Sequence, residues 1–357
     1  MAGKPPDTAI SFYCAQSIAP ALLALRQKTL SVQKRRNIDD IHDVRVASRR
    51  VRSCLAIFAQ VFPAKKLKNW QRDIRKITQS FGKVRDLDVQ IELLDQVCKE
   101  VQDQRYLAGL KRIRLRLKQK RQVEQAETRT VTRAILESTT LLELQEWVRV
   151  VLEQSQSMDN NHAALFQLGY EYIQKRLDEF LFFEVFIFDP QRVSELHQMR
   201  IAAKQLRYSL EIFSSLYQGK SDFALDVARQ SQQILGEIHD ADVWITFLPA
   251  ILEKELGRVQ KFYGYKRPFT RLKPGIEYLL ENRRGERSHL YGQFIQEWRN
   301  WKLKETWLSL RKLIFLTNLE QHQSPQMDQQ GQQPSNQPTN QSGKDNTQSN
   351  GGSQSKS

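Results

Sequence analysis

Cysteine is scarce in this chain. Cys14, Cys54 and Cys98 are the only three in 357 residues. An odd count without metal-like spacing excludes a disulfide framework and a zinc-finger type of site, and it fits a reducing compartment. Glycine (15) and proline (11) are also few and mostly fall between periodic segments, which argues against a chain of short strands and tight turns. No run approaches 18 uninterrupted apolar residues, so no membrane span is expected. The opening MAGKPPDTAISFYCAQ lacks a basic entry into a clean apolar run, so a secretion signal is not expected either. A cytoplasmic protein is the expectation. Acidic residues are in deficit, with 40 Asp and Glu against 55 Lys and Arg, a net charge of +15. A field of that size attracts polyanions such as nucleic acid, polyphosphate or an anionic membrane surface. The sequence also lacks a Gly-rich phosphate loop and a nucleophile elbow.

What is present is helical periodicity. Apolar residues recur at helical intervals, with Lys, Arg, Gln and Glu between them. The spacing predicts helices near 9–32, 40–60, 64–80, 84–102, 104–127, 129–155, 160–182, 192–216, 222–255, 274–282, 286–303 and 304–318. The chain is 40% hydrophobic, enough to bury real cores, and its length suggests about two domains. Residues 321–357 are rich in Gln, Asn, Ser, Gly and Pro, with Met327 the only hydrophobic side chain. Such a stretch cannot offset its ordering entropy by burial, and a disordered tail is expected there. Its two Asp and two Lys cancel, so the positive excess belongs to residues 1–320.

A repeat carries the functional signal. IHDVRVASRRVRSCLAIFAQVF, from Ile41, aligns with LHQMRIAAKQLRYSLEIFSSLY, from Leu196, with seven identities in 22 positions. FGKVRDLDV, from Phe81, and LGEIHDADV, from Leu235, follow at nearly equal separations. Two matched blocks in one order predict a tandem duplication of a roughly 155-residue unit. On a helix, His42, Arg45, Arg49 and Arg52 share one arc, opposite Val44, Ala47, Val51, Leu55 and Phe58. His197, Arg200, Lys204 and Arg207 lie likewise opposite Met199, Ala202, Leu206, Leu210 and Phe213. Like charges at these spacings repel, and a surface shaped for stability would intersperse Glu. A solvated basic face is the plain alternative, but the same row stands in both blocks. Arginine presents a planar fork to two oxygens and lysine a compact charge, which suits a ladder of phosphates. The histidine at the end of each row is poised near neutral pH, where a bound anion favours its cationic form.

Further cations lie on other helices: Lys111, Arg112, Arg116 and Lys118 in LKRIRLRLKQKRQ, then Arg283, Arg284 and Arg287, and a face of Lys68, Arg72 and Arg75. Taken singly, these read more readily as solvated than as liganding.

The four blocks, in this order, resemble the CHAD domain, the conserved histidine alpha-helical domain, over most of residues 8–303. The resemblance implies an all-α fold of two pseudo-symmetric four-helix bundles, with basic helices lining a central groove or pore. It implies binding of inorganic polyphosphate without catalysis or a cofactor. By motif match the ligand-facing residues are His42, Arg45, Arg49, Arg52, His197, Arg200, Lys204 and Arg207, with Arg112, Arg116, Arg284 and Arg287 as fourth-helix candidates. Gln205 stands where such motifs commonly carry a base. The expected divisions are a first repeat with its connecting helix at 8–157, a second repeat at 158–303, a helix at 304–320 and the tail at 321–357. Association with polyphosphate granules is a further expectation, and the tail could serve it.

Two other functions compete. Nucleic acid answers to the same positive field, but aromatic stacking platforms are missing from the basic rows, beside which only Tyr208 stands. His197, His239-Asp240 and Asp242 suggest an HD-type metal-dependent phosphohydrolase, yet the first block has Arg85 where the second has His239. Asp86, Asp88, Asp240 and Asp242 read better as ion-pairing residues. Glu253-Lys254-Glu255-Leu256-Gly257 lacks the final lysine of the Glu-x-Glu-x-Lys strand found in triphosphate-tunnel enzymes.

Overall fold

The computed structural model describes residues 7–34, 38–154 and 162–323. The expected tail beyond residue 323 lies outside them. The described residues form ten α-helices with short 3-10 turns and no strands. They are α1 (Thr8–Lys34), α2 (Ile38–Ile57), α3 (Ala64–Glu100), α4 (Gln104–Glu137), α5 (Thr140–Gln154), α6 (Ala163–Leu181), α7 (Val193–Phe213), α8 (Asp222–Tyr263), α9 (Lys273–Leu303) and α10 (Thr306–Gln323). The all-α expectation holds.

Several boundaries differ from the sequence reading, among them the end of α8, which runs to Tyr263 rather than 255. The predicted break at 81–83 does not occur, and α3 runs through Gly82. A helical glycine costs only about 1 kcal/mol, and Ile77, Phe81 and Val84 around it are fully buried. Likewise α9 continues through Gly285. The boundary expected near 128 falls instead at Ser138, which caps α4. Within the continuous helix Thr128 is buried and donates back to the Glu124 carbonyl at 2.9 Å.

The helices pack in a recurring order. α1 lies on α2, α2 on α3 and α3 on α4; α6 lies on α7, α7 on α8 and α8 on α9. α5 rests on α1. The predicted apolar backs of α2 and α7 are the buried ones: Val44, Val51, Leu55, Phe58, Met199, Leu206, Leu210 and Phe213. Matched positions of the two blocks meet at the centre. Phe58 and Phe213 touch edge to face at 5.8 Å between centroids, and Tyr13 of α1 contacts both. The Tyr13 hydroxyl donates to the Ile212 carbonyl at 2.6 Å.

The apolar clusters cut across the two halves of the sequence. The larger joins α1–α3, the end of α4, α5–α7, the start of α8, the end of α9 and α10. The smaller joins the C-terminal half of α3, the start of α4, the C-terminal half of α8 and the start of α9. In the smaller cluster α4 and α9 cross at glycines: a Cβ on Gly109 would lie 2.2 Å from the Leu272 carbonyl oxygen. The described residues up to His322 form one compact unit. α10 is held by Trp307, which packs on Phe180 and Trp298, and it runs to Gln323, slightly past the expected start of the tail.

Among the described helices, only α1 is long and apolar enough by composition to cross a membrane, over Thr8–Gln33. Its buried residues, from Ile10 to Leu25, belong to the larger core, so its apolarity is used in packing.

Candidate functional site: a basic cleft between two helices

Because the apolar backs of α2 and α7 are drawn into one core, their polar faces border a common cleft of about 910 Å³. Its walls carry Arg45, Arg49 and Arg52 from α2, Arg75 and Lys83 from α3, Arg176 from α6 and Lys204 from α7, against a single acid, Asp86. Gln71, Gln79, Gln205, Tyr208 and the hydroxyls of Ser53, Thr78 and Ser209 complete the polar lining. Arg45 lies 3.6 Å from Asp86, Lys83 pairs with Glu124 and Glu127 of α4, and Arg176 pairs with Glu179. Among the described residues, Arg49, Arg52, Arg75, Arg200 and Lys204 form no ion pair.

The electrostatic consequence is clearest at Lys204. Burial, then the charges of Arg200, Arg49, Arg45 and Arg52, push its ammonium down to about 8. Cations from both basic rows therefore converge on one point. Burial and the neighbouring Arg207 and Arg45 also lower Arg49. The Nε atoms of Arg49 and Arg207 are buried without a hydrogen-bond partner, a condition that costs stability unless a ligand supplies an acceptor.

Tyr208 joins the two rows. The guanidinium carbons of Arg49 and Arg207 lie over its ring, 4.9 and 5.0 Å from the centroid. Cation–π attraction to the one ring holds two like charges near each other. Glu211, 3.5 Å from Arg207, supplies the nearest negative charge.

The glycines of the second motif pair have matching surroundings. A Cβ on Gly82 would meet Nε of Arg45 at 3.8 Å, and one on Gly236 would meet Nε of Arg200 at 3.6 Å. Both are ordinary contacts, so these glycines leave each arginine a shallow bed on the next helix. The second aspartate of each motif is an ion-pair partner, as expected: Asp88 binds Arg121 of α4, and Asp242 binds Arg287 of α9.

The histidines are less simple than expected. His42 is exposed at the start of its row. His197 faces His239, with their Nδ1 atoms 3.0 Å apart, so one ring donates to the other. Burial, then Arg200 and Lys204, hold His197 below its ordinary value. Burial and Arg200 push His239 down to about 4. Both are neutral at pH 7. Among the described residues no three His, Cys, Asp or Glu side chains are grouped as metal ligands.

Of the twelve residues expected at the site, Arg45, Arg49, Arg52 and Lys204 line the cleft, and Arg200 and Arg207 adjoin it. Four others are engaged elsewhere. Arg116 makes two bonds, of 2.7 and 3.3 Å, to the carboxylate of Glu255, and Arg112 lies 3.8 Å from it. Glu255 is only 1% exposed, so these two arginines, with Arg258 of α8, balance a buried charge between α4 and α8. Glu255 itself sits inside a helix, not on the strand that a triphosphate-tunnel site requires. Arg284 pairs with Glu281 on the surface. Arg287 holds Asp242 and also donates to the Pro190 carbonyl at 2.8 Å. The sequence reading overlooked Lys83 and Arg176 and left Arg75 on a solvated face. Helical phase shows which residues share a face, but not which faces of α3 and α6 meet α2.

The helical arrangement of the described residues is a fold of known type. The sequence matches the CHAD domain family over residues 16–249, and the chain belongs to that family. Similar solved structures include the CHAD domain from the plant Ricinus communis, at 21% identity and a TM-score of 0.52, covering 86% of this chain and 93% of that one. Another is PptA from Streptomyces chartreusis, at 14% identity and a TM-score of 0.53, covering 83% of this chain and all of that one. At these identities the likeness shows the fold alone. No curated protein matches the sequence.

Proposed function

We propose that the cleft binds inorganic polyphosphate as a non-catalytic module, with Arg45, Arg49, Arg52, Arg200, Lys204 and Arg207 as the principal ligands. The observation that carries this reading is the convergence of Arg45, Arg49, Arg52 and Arg200 on Lys204, with Asp86 beside Arg45 the one carboxylate among the described residues lining the cleft. Cations in such excess over carboxylates are unfavourable in the free protein and become favourable when a polyanion enters. Each charge-assisted hydrogen bond to a phosphate oxygen contributes about 1.5–3 kcal/mol at most, and a long chain adds avidity by rebinding. His42 and His197 stand at the ends of the rows, where they meet a longer chain. The two blocks are read as copies of one unit, at 8–157 and 158–303, with 304–320 appended.

Nucleic acid is the second reading, since it answers to the same field. Against it, the one aromatic side chain lining the cleft, Tyr208, is 8% exposed and carries Arg49 and Arg207 over its ring, which leaves a base little stacking surface. A metal-dependent phosphohydrolase finds less support, because Asp242 is taken by Arg287 and His197 by His239.

The test is binding of long-chain polyphosphate in competition with single-stranded DNA and RNA at matched phosphate and physiological salt. Replacing Arg45, Arg49, Arg200 and Arg207 by Ala is expected to weaken binding by about 100-fold or more while helicity by circular dichroism stays unchanged. Unchanged affinity would remove the cleft from consideration. Equal or tighter nucleic-acid binding would replace polyphosphate as the ligand.

A further inference from the structure

At the end of the smaller core, far from the cleft, α8 terminates in a projecting turn of unusual composition. Residues 256–276, LGRVQKFYGYKRPFTRLKPGI, hold six bases and no acid. Every residue from 260 to 267 is exposed. Phe262 is 81% exposed, Tyr265 56% and Tyr263 51%. Their rings nevertheless associate in water, Phe262 with Tyr263 at 4.8 Å and Tyr263 with Tyr265 at 6.2 Å between centroids. The reversal is fixed by Gly264, whose φ of 79° is open to glycine, and whose N–H donates to the Gln260 carbonyl at 2.9 Å. Behind the tip, Phe269 and Leu272 are buried in the smaller core. The turn is therefore an anchored knob with three aromatic rings at its apex. Lys261, Lys266, Arg267 and Arg271 flank them in the chain, are exposed and, among the described residues, form no ion pair. Along α8 the knob lies roughly 35 Å from His239.

We infer that this knob docks the protein on an anionic phospholipid surface. Phe262 supplies an apolar wedge for the acyl boundary. Tyr263 and Tyr265 are amphipathic rings suited to the headgroup level. The four bases lie behind them, where their charged ends meet lipid phosphates and their stems lie along apolar surface. Exposed rings at a chain reversal, with exposed cations on either side in the chain, match a flat charged interface. Single-stranded nucleic acid is matched less well, because its bases need a platform beside a groove that tracks the backbone. The inference does not depend on the ligand of the cleft.

The experiment is co-flotation of the full chain with phosphatidylcholine vesicles, with and without phosphatidylglycerol. Binding is expected only with the anionic lipid. It should weaken about tenfold or more when Phe262, Tyr263 and Tyr265 are all changed to Ser, and equally in a Lys261→Ala, Lys266→Ala, Arg267→Ala, Arg271→Ala variant. Since all seven side chains are exposed, both variants should keep wild-type helicity and polyphosphate affinity. The cleft variant lacking Arg45, Arg49, Arg200 and Arg207 should float as the wild type does. In a Phe262→Trp protein, brominated lipid should quench emission beyond the wild-type loss. Wild-type flotation by the triple-Ser variant, or loss of flotation in the cleft variant, would overturn the proposal. So would loss of RNA binding, rather than vesicle binding, on removal of the three rings.

Discussion

Raising the pH through the titration of Lys204 should weaken polyanion binding while the arginines remain charged. In the free protein this ammonium titrates at about 8, against an ordinary 10.5, because it is buried beside Arg200, Arg49, Arg45 and Arg52. A bound phosphate chain supplies the missing negative charge and draws the group back upward, so binding above pH 8 takes up a proton. Each unit of the depression that the ligand removes is worth about 1.4 kcal/mol, or tenfold. Full restoration predicts an affinity loss of about 20-fold from pH 7.5 to 9.5, and half restoration about tenfold. Calorimetric titration in buffers of different ionisation enthalpy reads both the affinity and the proton uptake. Lys204→Arg should flatten the profile over the same range, since a guanidinium stays charged. The same depression has a stability consequence. With a folded value below the unfolded one, the native state binds fewer protons between about pH 8 and 10.5, and stability from this group rises with pH in that window. At neutral pH the charged lysine is therefore a cost, and Lys204→Met should stabilise the free protein by up to about 3 kcal/mol while weakening binding. A pH-independent affinity in the wild type, or an equal slope in Lys204→Arg, would refute the assignment of Lys204 to the converged cations.

Two other substitutions separate structural roles from the site. Arg116→Ala removes a partner from the buried Glu255 and should lower stability in chemical denaturation by about 2–3 kcal/mol; its polyphosphate affinity should stay at the wild-type level, and a large affinity loss in a stable variant would return Arg116 to the ligand set. Gly109→Ala, which on an open helix would stabilise by about 1 kcal/mol, should instead destabilise by about 3 kcal/mol. The added Cβ meets the Leu272 carbonyl at 2.2 Å, and backbone cannot step aside as a side chain can. Gly82→Ala is the control: its Cβ would meet only the Arg45 side chain, at 3.8 Å, so it should be tolerated, as thermal unfolding will show.

The helical periods of the sequence determined most of the secondary structure and the buried sides of α2 and α7, because a 100° advance per residue sorts apolar from charged positions without outside help. The paired blocks likewise marked Arg45, Arg49, Arg200, Lys204 and their neighbours. Predicted breaks at Gly82 and Gly285 failed because a single glycine is a weaker signal than the packing on either side of it. Partnership was decided by tertiary structure alone. Arg112 and Arg116 have the same local pattern as the cleft arginines, but α8 brings Glu255 to them, and α8 likewise brings Asp242 to Arg287. Arg75 and Arg176, unremarkable on their own helices, reach the cleft because α3 and α6 border the α2–α7 cleft. Whether a cation is a counter-ion or a ligand depends on the charge that the fold places opposite it, which no single helix contains.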